Sequence, residues 1–60
     1  MKASDLVKGQ IYIFSDEFSR KRFKVKFINK SKRGYSFRNI NAPFLYYFTE
    51  AQVINKIMAK

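Results

Sequence analysis

The chain has 60 residues, a formal net charge of +9, and neither cysteine nor histidine. Within this sequence, disulfides, thiolate or imidazole metal ligands, and Ser-His or Cys-His catalysis are therefore excluded. The length predicts a single domain over residues 1–60, and seven Phe and four Tyr together with the aliphatic residues provide material for an apolar core.

The first half of the chain predicts a short turn and two strands. Ser4-Asp5 is expected to cap a single turn that ends at Gly9, and 10–14 reads as the first strand. A polar loop over 15–19 leads into 20–29, the clearest strand pattern in the sequence. Apolar and cationic residues alternate along that strand, so its two faces differ. Phe23, Val25 and Phe27 form the apolar face, and Arg22, Lys24 and Lys26 form the cationic face.

The second strand is expected to return as a hairpin. Residues 30–34 predict the turn, with Gly34 in a positive-φ conformation, and 35–40 predict the returning strand. If 30–33 form the turn, Lys26 lies beside Arg38. Two like charges would then be neighbours on one face.

The C-terminal third predicts a strand and a helix. Residues 41–43 break the pattern, and 44–48 read as a short aromatic strand. Thr49 and Gln52 have the spacing of a capping box that opens a helix. One apolar side of that helix is expected to contain Val53, Ile54, Ile57 and Met58.

This order of elements is similar to the small SH3-like barrels found as stand-alone proteins in phages and mobile elements. The resemblance lies in the leader turn and first strand over 6–12 and in the long basic hairpin over 20–40. It implies an architecture, and such barrels commonly bind nucleic acid or protein segments. The expected fold class is mainly β with a short C-terminal helix. The sheet would form a small SH3-like barrel or a strongly curled antiparallel sheet of about four to five strands.

The positive charge is concentrated on the predicted hairpin. Segment 20–38 contains nine of the 13 Lys and Arg residues, and no acid lies between Glu17 and Glu50. The four remaining lysines balance the four acids, so this segment accounts for the whole net charge. Unrelieved like charges on one hairpin favour an anionic partner.

Nucleic acid is the partner that this pattern favours, because lysine and arginine contacts to phosphates release condensed counterions. The expected function is docking of a phosphate backbone, DNA or RNA, with little sequence specificity. Tyr35 is a candidate stacking platform beside the cations, the alternative being an ordinary structural position in the strand. The candidate binding residues are Arg20, Lys21, Arg22, Lys24, Lys26, Lys30, Lys32, Arg33, Tyr35 and Arg38.

The other aromatic residues are assigned mainly to the core. Alternation with polar neighbours predicts a buried position for Phe23, Phe27, Phe37, Phe44 and Phe48. Tyr46 and Tyr47 would point to opposite faces of one strand, so one of them is expected to be exposed.

An alternative partner is an acidic host protein, bound by a phage-type effector through the same basic face. An enzyme is not expected, since the four carboxylates are scattered and no glycine-rich phosphate loop is present. No cofactor, metal, small-molecule substrate or membrane partner is expected. Residues 1–8 lack an apolar signal region and the longest uncharged run, 39–49, is too short to span a bilayer, so we expect a cytoplasmic protein.

Overall fold

The computed structural model describes residues 1–59 and confirms a mainly β fold. Five antiparallel strands form one sheet in the order β4-β3-β2-β1-β5. After a 3₁₀ turn at Ala3–Asp5, the elements are β1 (Ile11–Asp16), β2 (Lys21–Ser31), β3 (Gly34–Asn39), β4 (Leu45–Phe48), α1 (Glu50–Lys56) and β5 (Ile57–Ala59). Of the two sheet forms expected, the structure has the curled one, because the edge strands β4 and β5 do not pair and the sheet stays open.

The curl of the sheet is stabilised by aromatic contacts across its inner side. Phe14 on β1 stacks on Phe48 on β4, with ring centroids 5.3 Å apart. Phe23 on β2 likewise contacts Tyr46 on β4 at 5.6 Å. Strands that are not neighbours in the sheet are thereby held together by apolar packing, which is the main stabilising force in a domain without disulfides.

The alternation predicted for the second strand is confirmed. Val25 and Phe27 are buried and Phe23 packs against the same core, while the intervening cations are exposed. The predicted register is also found, with Lys26 opposite Arg38. Gly34 has φ +115°, as expected for the residue that closes the hairpin.

The C-terminal helix is shorter than the apolar pattern predicts. Thr49 forms the predicted capping box with Gln52, whose amide N–H donates to the Thr49 hydroxyl at 3.2 Å. The helix ends at Lys56, however, because Ile57 adopts extended dihedrals and begins β5, which pairs with β1. Ile57 is therefore buried as a strand residue, and the prediction of a continuous helical side is wrong there.

Two further predictions are corrected. Ser4 and Asp5 lie within the 3₁₀ turn and do not cap it, since Lys2 occupies the N-cap position and makes no side-chain capping bond. Phe44 is 59% exposed and precedes β4, so it is not a core residue. No helix within residues 1–59 is long and apolar enough to cross a membrane.

Candidate nucleic-acid interface

The side of the sheet that faces away from the core carries a compact group of cations. Strand parity places three alternate residues of β2 on this side, and Arg38 of β3 joins them through its pairing with Lys26. All four side chains are exposed. We refer to Arg22, Lys24, Lys26 and Arg38 together as the outer cationic face.

Among residues 1–59, no carboxylate forms an ion pair with a side chain of the outer cationic face. Within residues 1–59 the one ion pair joins Lys56 Nζ to Asp16 Oδ2, 3.5 Å apart, at the far end of β1. Like charges that face each other across two strands destabilise a sheet. Repulsion between Lys26 and Arg38 therefore raises the free energy of the folded protein, and a bound anion would lower it.

The acid that forms this ion pair is held in its charged form by local hydrogen bonds. Partial burial acts to raise the pKa of Asp16, but hydrogen bonds from the Ser19 side chain and from the backbone N–H groups of Phe18 and Ser19, together with the charge of Lys56, lower it below the ordinary value of 3.8. The Phe18 N–H donates to Asp16 Oδ1 at 3.1 Å. This carboxylate thus closes the β1–β2 loop and does not neutralise the outer cationic face.

A bulge in β2 separates Lys30 from the outer cationic face. The register shifts between Phe27 and Asn29, so Lys30 pairs with Tyr35 and shares the core side of the sheet. Its Nζ lies 5.5 Å from the centroid of the Tyr35 ring. Lys30 is thus a strand residue and not part of the turn predicted over 30–34, and it lines a cleft of about 640 Å³ with Lys2 and Lys8.

The stacking role predicted for Tyr35 is also wrong. Only 8% of this residue is exposed, and its ring packs against Phe27 in the core at 6.3 Å. A base needs an open ring face to stack on. In the sequence, Tyr35 and Phe37 alternate with polar residues, and this pattern is typical of two residues on one buried face. Both are buried in the structure.

The remaining candidate residues lie at the two ends of β2. Lys32 and Arg33 occupy the β2–β3 turn, and Arg33 Cζ lies 5.7 Å from the centroid of the Tyr47 ring. Arg20 and Lys21 lie at the opposite end, where Lys21 pairs with Asp16. The structure thus places Lys32 and Arg33 at one end of β2, and Arg20 and Lys21 at the other end, where Lys21 faces Asp16.

Apolar side chains flank the cations. The sequence predicts that one of Tyr46 and Tyr47 is exposed, which Tyr47 confirms, but it does not indicate the other flanking residues. Leu45 pairs with Arg38 and is exposed, and Tyr47 lies opposite Ser36 on the same side. Ile11, half-buried, pairs with Lys26 from the other direction. All four β4 residues are apolar or aromatic, so alternation could not show which of them face outward.

The interface can bind anions, since lysine and arginine supply charged N–H donors to phosphate oxygens. Within the described part of the chain, no group of three or more acidic, cysteine or histidine side chains comes together to hold a metal. No protein-family model matches the chain, and no curated protein or solved structure matches it either.

Proposed function

We propose that the protein binds nucleic acid by docking a phosphate backbone on the outer cationic face, with little preference for base sequence. The observation that supports this most strongly is the pairing of Lys26 with Arg38, neither of which forms an ion pair with a carboxylate of residues 1–59. Lys24 extends the cationic row along β2, about 6.6 Å from Lys26 at the usual strand rise. Repeated, evenly spaced charges suit a repeating polyanion better than a single small ligand.

The proposed contacts are electrostatic and do not read bases. Base readout commonly uses a helix in the major groove, with polar side chains directed at base edges. Here α1 has seven residues and packs Val53 into the core, while the cations lie on strands. Backbone contacts fix a protein on nucleic acid but carry no sequence information. Binding should therefore be tolerant of base sequence.

Salt dependence of the affinity tests this proposal. The outer cationic face and the two turn cations, Lys32 and Arg33, together offer six groups to phosphates. Six contacts give a slope of log K against log salt of about −5 for a duplex and about −4 for a single strand. Fluorescence anisotropy at several salt concentrations measures it, and a slope near zero would refute backbone docking.

A second candidate, a phage-type effector that binds an acidic host protein, is favoured by the exposed apolar residues beside the cations. Phe44 and Leu45 are both more than half exposed, and Ile40 is also exposed. Protein interfaces commonly combine such apolar anchors with arginine. Capture from nuclease-treated lysate separates the candidates: a stoichiometric acidic protein that survives nuclease supports the effector, and loss of all bound material supports nucleic-acid binding.

A further inference from the structure

We infer that the bound nucleic acid is single-stranded and that a base stacks on Tyr47; this inference rests on the proposed function. Tyr47 lies on β4 directly opposite Ser36, which places its ring on the same side of the sheet as the outer cationic face. It is 42% exposed. The Arg33 guanidinium lies over the ring, 5.7 Å from its centroid, and because Arg33 is itself exposed, a base that stacks there displaces this side chain into solvent. An exposed aromatic ring next to cations is the arrangement that single-strand binders use.

The other three tyrosines do not offer such a surface. Tyr12 and Tyr35 are buried in the core. Tyr46 points to the core side, where its ring stacks on Phe48 with centroids 5.8 Å apart. Tyr47 is therefore the one tyrosine of the four whose ring is exposed on the cationic side.

A groove of about 550 Å³ lies beside the Tyr47 ring and could receive a base. Its lining combines the apolar side chains of Ile28 and Leu45 with the cations Lys32 and Arg33. The Ser36 hydroxyl, 3% exposed, is already hydrogen-bonded to Asn29 and takes no part in binding. A nucleotide has the matching combination, an apolar base face next to an anionic phosphate, so the groove suits a base whose phosphate contacts the cations.

The groove and the outer cationic face form one continuous surface. Leu45, which lines the groove, pairs with Arg38, and Arg38 pairs with Lys26. A strand whose phosphates contact the cations can therefore place a neighbouring base against Tyr47. The cations then set the path of the backbone, and the aromatic ring fixes one base along it.

A duplex does not fit this surface as well. Its outer surface presents phosphates, while its base faces are stacked inside the helix. Duplex docking would use the cations but would leave Tyr47 and Leu45 without an apolar partner. A single strand offers both phosphates and open base faces. The interleaving of cations with exposed apolar side chains therefore favours single-stranded nucleic acid.

The experiment compares three labelled ligands of equal length by anisotropy: oligothymidine, the same strand paired with oligoadenosine, and an abasic oligomer. Wild-type protein should prefer oligothymidine to both others. Tyr47→Ala should weaken oligothymidine binding by roughly 5- to 150-fold and leave duplex binding within about twofold, since one stacked base contributes that much. Tyr47→Phe, which keeps the ring, should bind like the wild type.

Phe44→Ala is the matched control, because it removes an exposed aromatic ring outside the groove. It should leave all three affinities unchanged. Equal binding of single strand and duplex, or an unaltered oligothymidine affinity in folded Tyr47→Ala, would overturn the inference while backbone docking stands. Failure of the wild type to bind any of the three ligands would overturn both.

Discussion

Lys26 and Arg38 lie directly opposite each other on β2 and β3, both exposed, and neither is ion-paired with a carboxylate in the described part of the chain. Such a pair destabilises the sheet in the absence of a ligand. This repulsion matters in a domain of 60 residues, because the free energy of unfolding of so small a domain is low to begin with. Binding and stability should therefore respond in opposite directions when this pair is changed.

Replacing Arg38 with Glu should make the protein more stable and a weaker nucleic-acid binder. The new carboxylate faces Lys26, and converting a like-charge pair to an opposite pair is expected to add about 0.2–1 kcal/mol to the free energy of unfolding. Urea denaturation measures that change, and anisotropy measures the loss of binding. Arg38→Gln should have a free energy of unfolding and a nucleic-acid affinity between those of the wild type and Arg38→Glu. A folded Arg38→Glu protein that is less stable than Arg38→Gln would contradict this electrostatic account.

The core boundary can be tested with two phenylalanines. Phe37 is fully buried, and Phe37→Ala should cost about 3–5 kcal/mol, enough to leave most of so small a domain unfolded. Phe44 was expected in the core from the sequence but is exposed, and Phe44→Ala should change stability by no more than about 0.5 kcal/mol. Thermal unfolding followed by circular dichroism compares them. Comparable losses in both variants would mean that Phe44 packs in solution.

Gly34 and Gly9 both have positive φ but differ in their surroundings. A Cβ at Gly34 would lie 2.5 Å from the Phe48 carbonyl oxygen on β4, whereas a Cβ at Gly9 would meet nothing within 4 Å. Gly9→Ala should therefore cost only the backbone strain, about 1–2 kcal/mol. Gly34→Ala should cost clearly more, because β4 must move away from the hairpin. Denaturation midpoints that are the same for the two variants would rule out this close approach.

Acid sensitivity should depend on Asp16. Its pKa is lowered in the folded protein, so the stability that it contributes is present above the ordinary value of 3.8 and is lost as pH falls through the folded value. The stability difference between wild type and Asp16→Asn should therefore shrink between about pH 6 and about pH 2.

The hydrogen bonds of the loop should account for most of this effect. The hydrogen bonds from Ser19 and Phe18 lower the pKa of Asp16 more than the charge of Lys56 does. Lys56→Gln should thus keep most of the pH dependence that Asp16→Asn removes. Denaturant titrations across this pH range measure both variants. A wild-type curve parallel to that of Asp16→Asn would show that the loop carboxylate has no such role.

Alternation and capping signals predicted much of the fold. The apolar and cationic faces of β2, the break before β4 and the capping box at Thr49 all follow from local residue patterns, and the structure has them. β5 could not be foreseen in this way. Ile57 and Met58 continue a helical spacing, and only the free edge of β1 gives them a strand partner.

The interface was predicted less completely than the fold. The cations were identified, but one bulge between Phe27 and Asn29 reverses which side the following residues face. A bulge of this kind has no reliable sequence signal. The sequence predicts Lys30 in a turn over 30–34, whereas β2 continues to Ser31 and the bulge places Lys30 on the core side of the sheet. Tyr47 was not singled out, because in a strand of four apolar or aromatic residues the pattern does not say which ring is covered.

Two variants of equal net charge can separate the effect of where the cations lie from the effect of how many there are. The outer triple variant carries Lys24→Gln, Lys26→Gln and Arg38→Gln. The opposite triple variant removes three cations that line the cleft on the core side. It carries Lys2→Gln, Lys8→Gln and Lys30→Gln.

The most direct measurement is the salt slope of nucleic-acid affinity for these two variants and the wild type. Each lost phosphate contact reduces the slope by about 0.9 on a duplex and about 0.7 on a single strand. The outer triple variant should therefore lose about 3 on a duplex and about 2 on a single strand, while the opposite triple variant keeps the wild-type slope. Circular dichroism confirms that both remain folded. Equal losses in the two variants would contradict the account, because they would show that net charge alone, and not the outer cationic face, binds the phosphates.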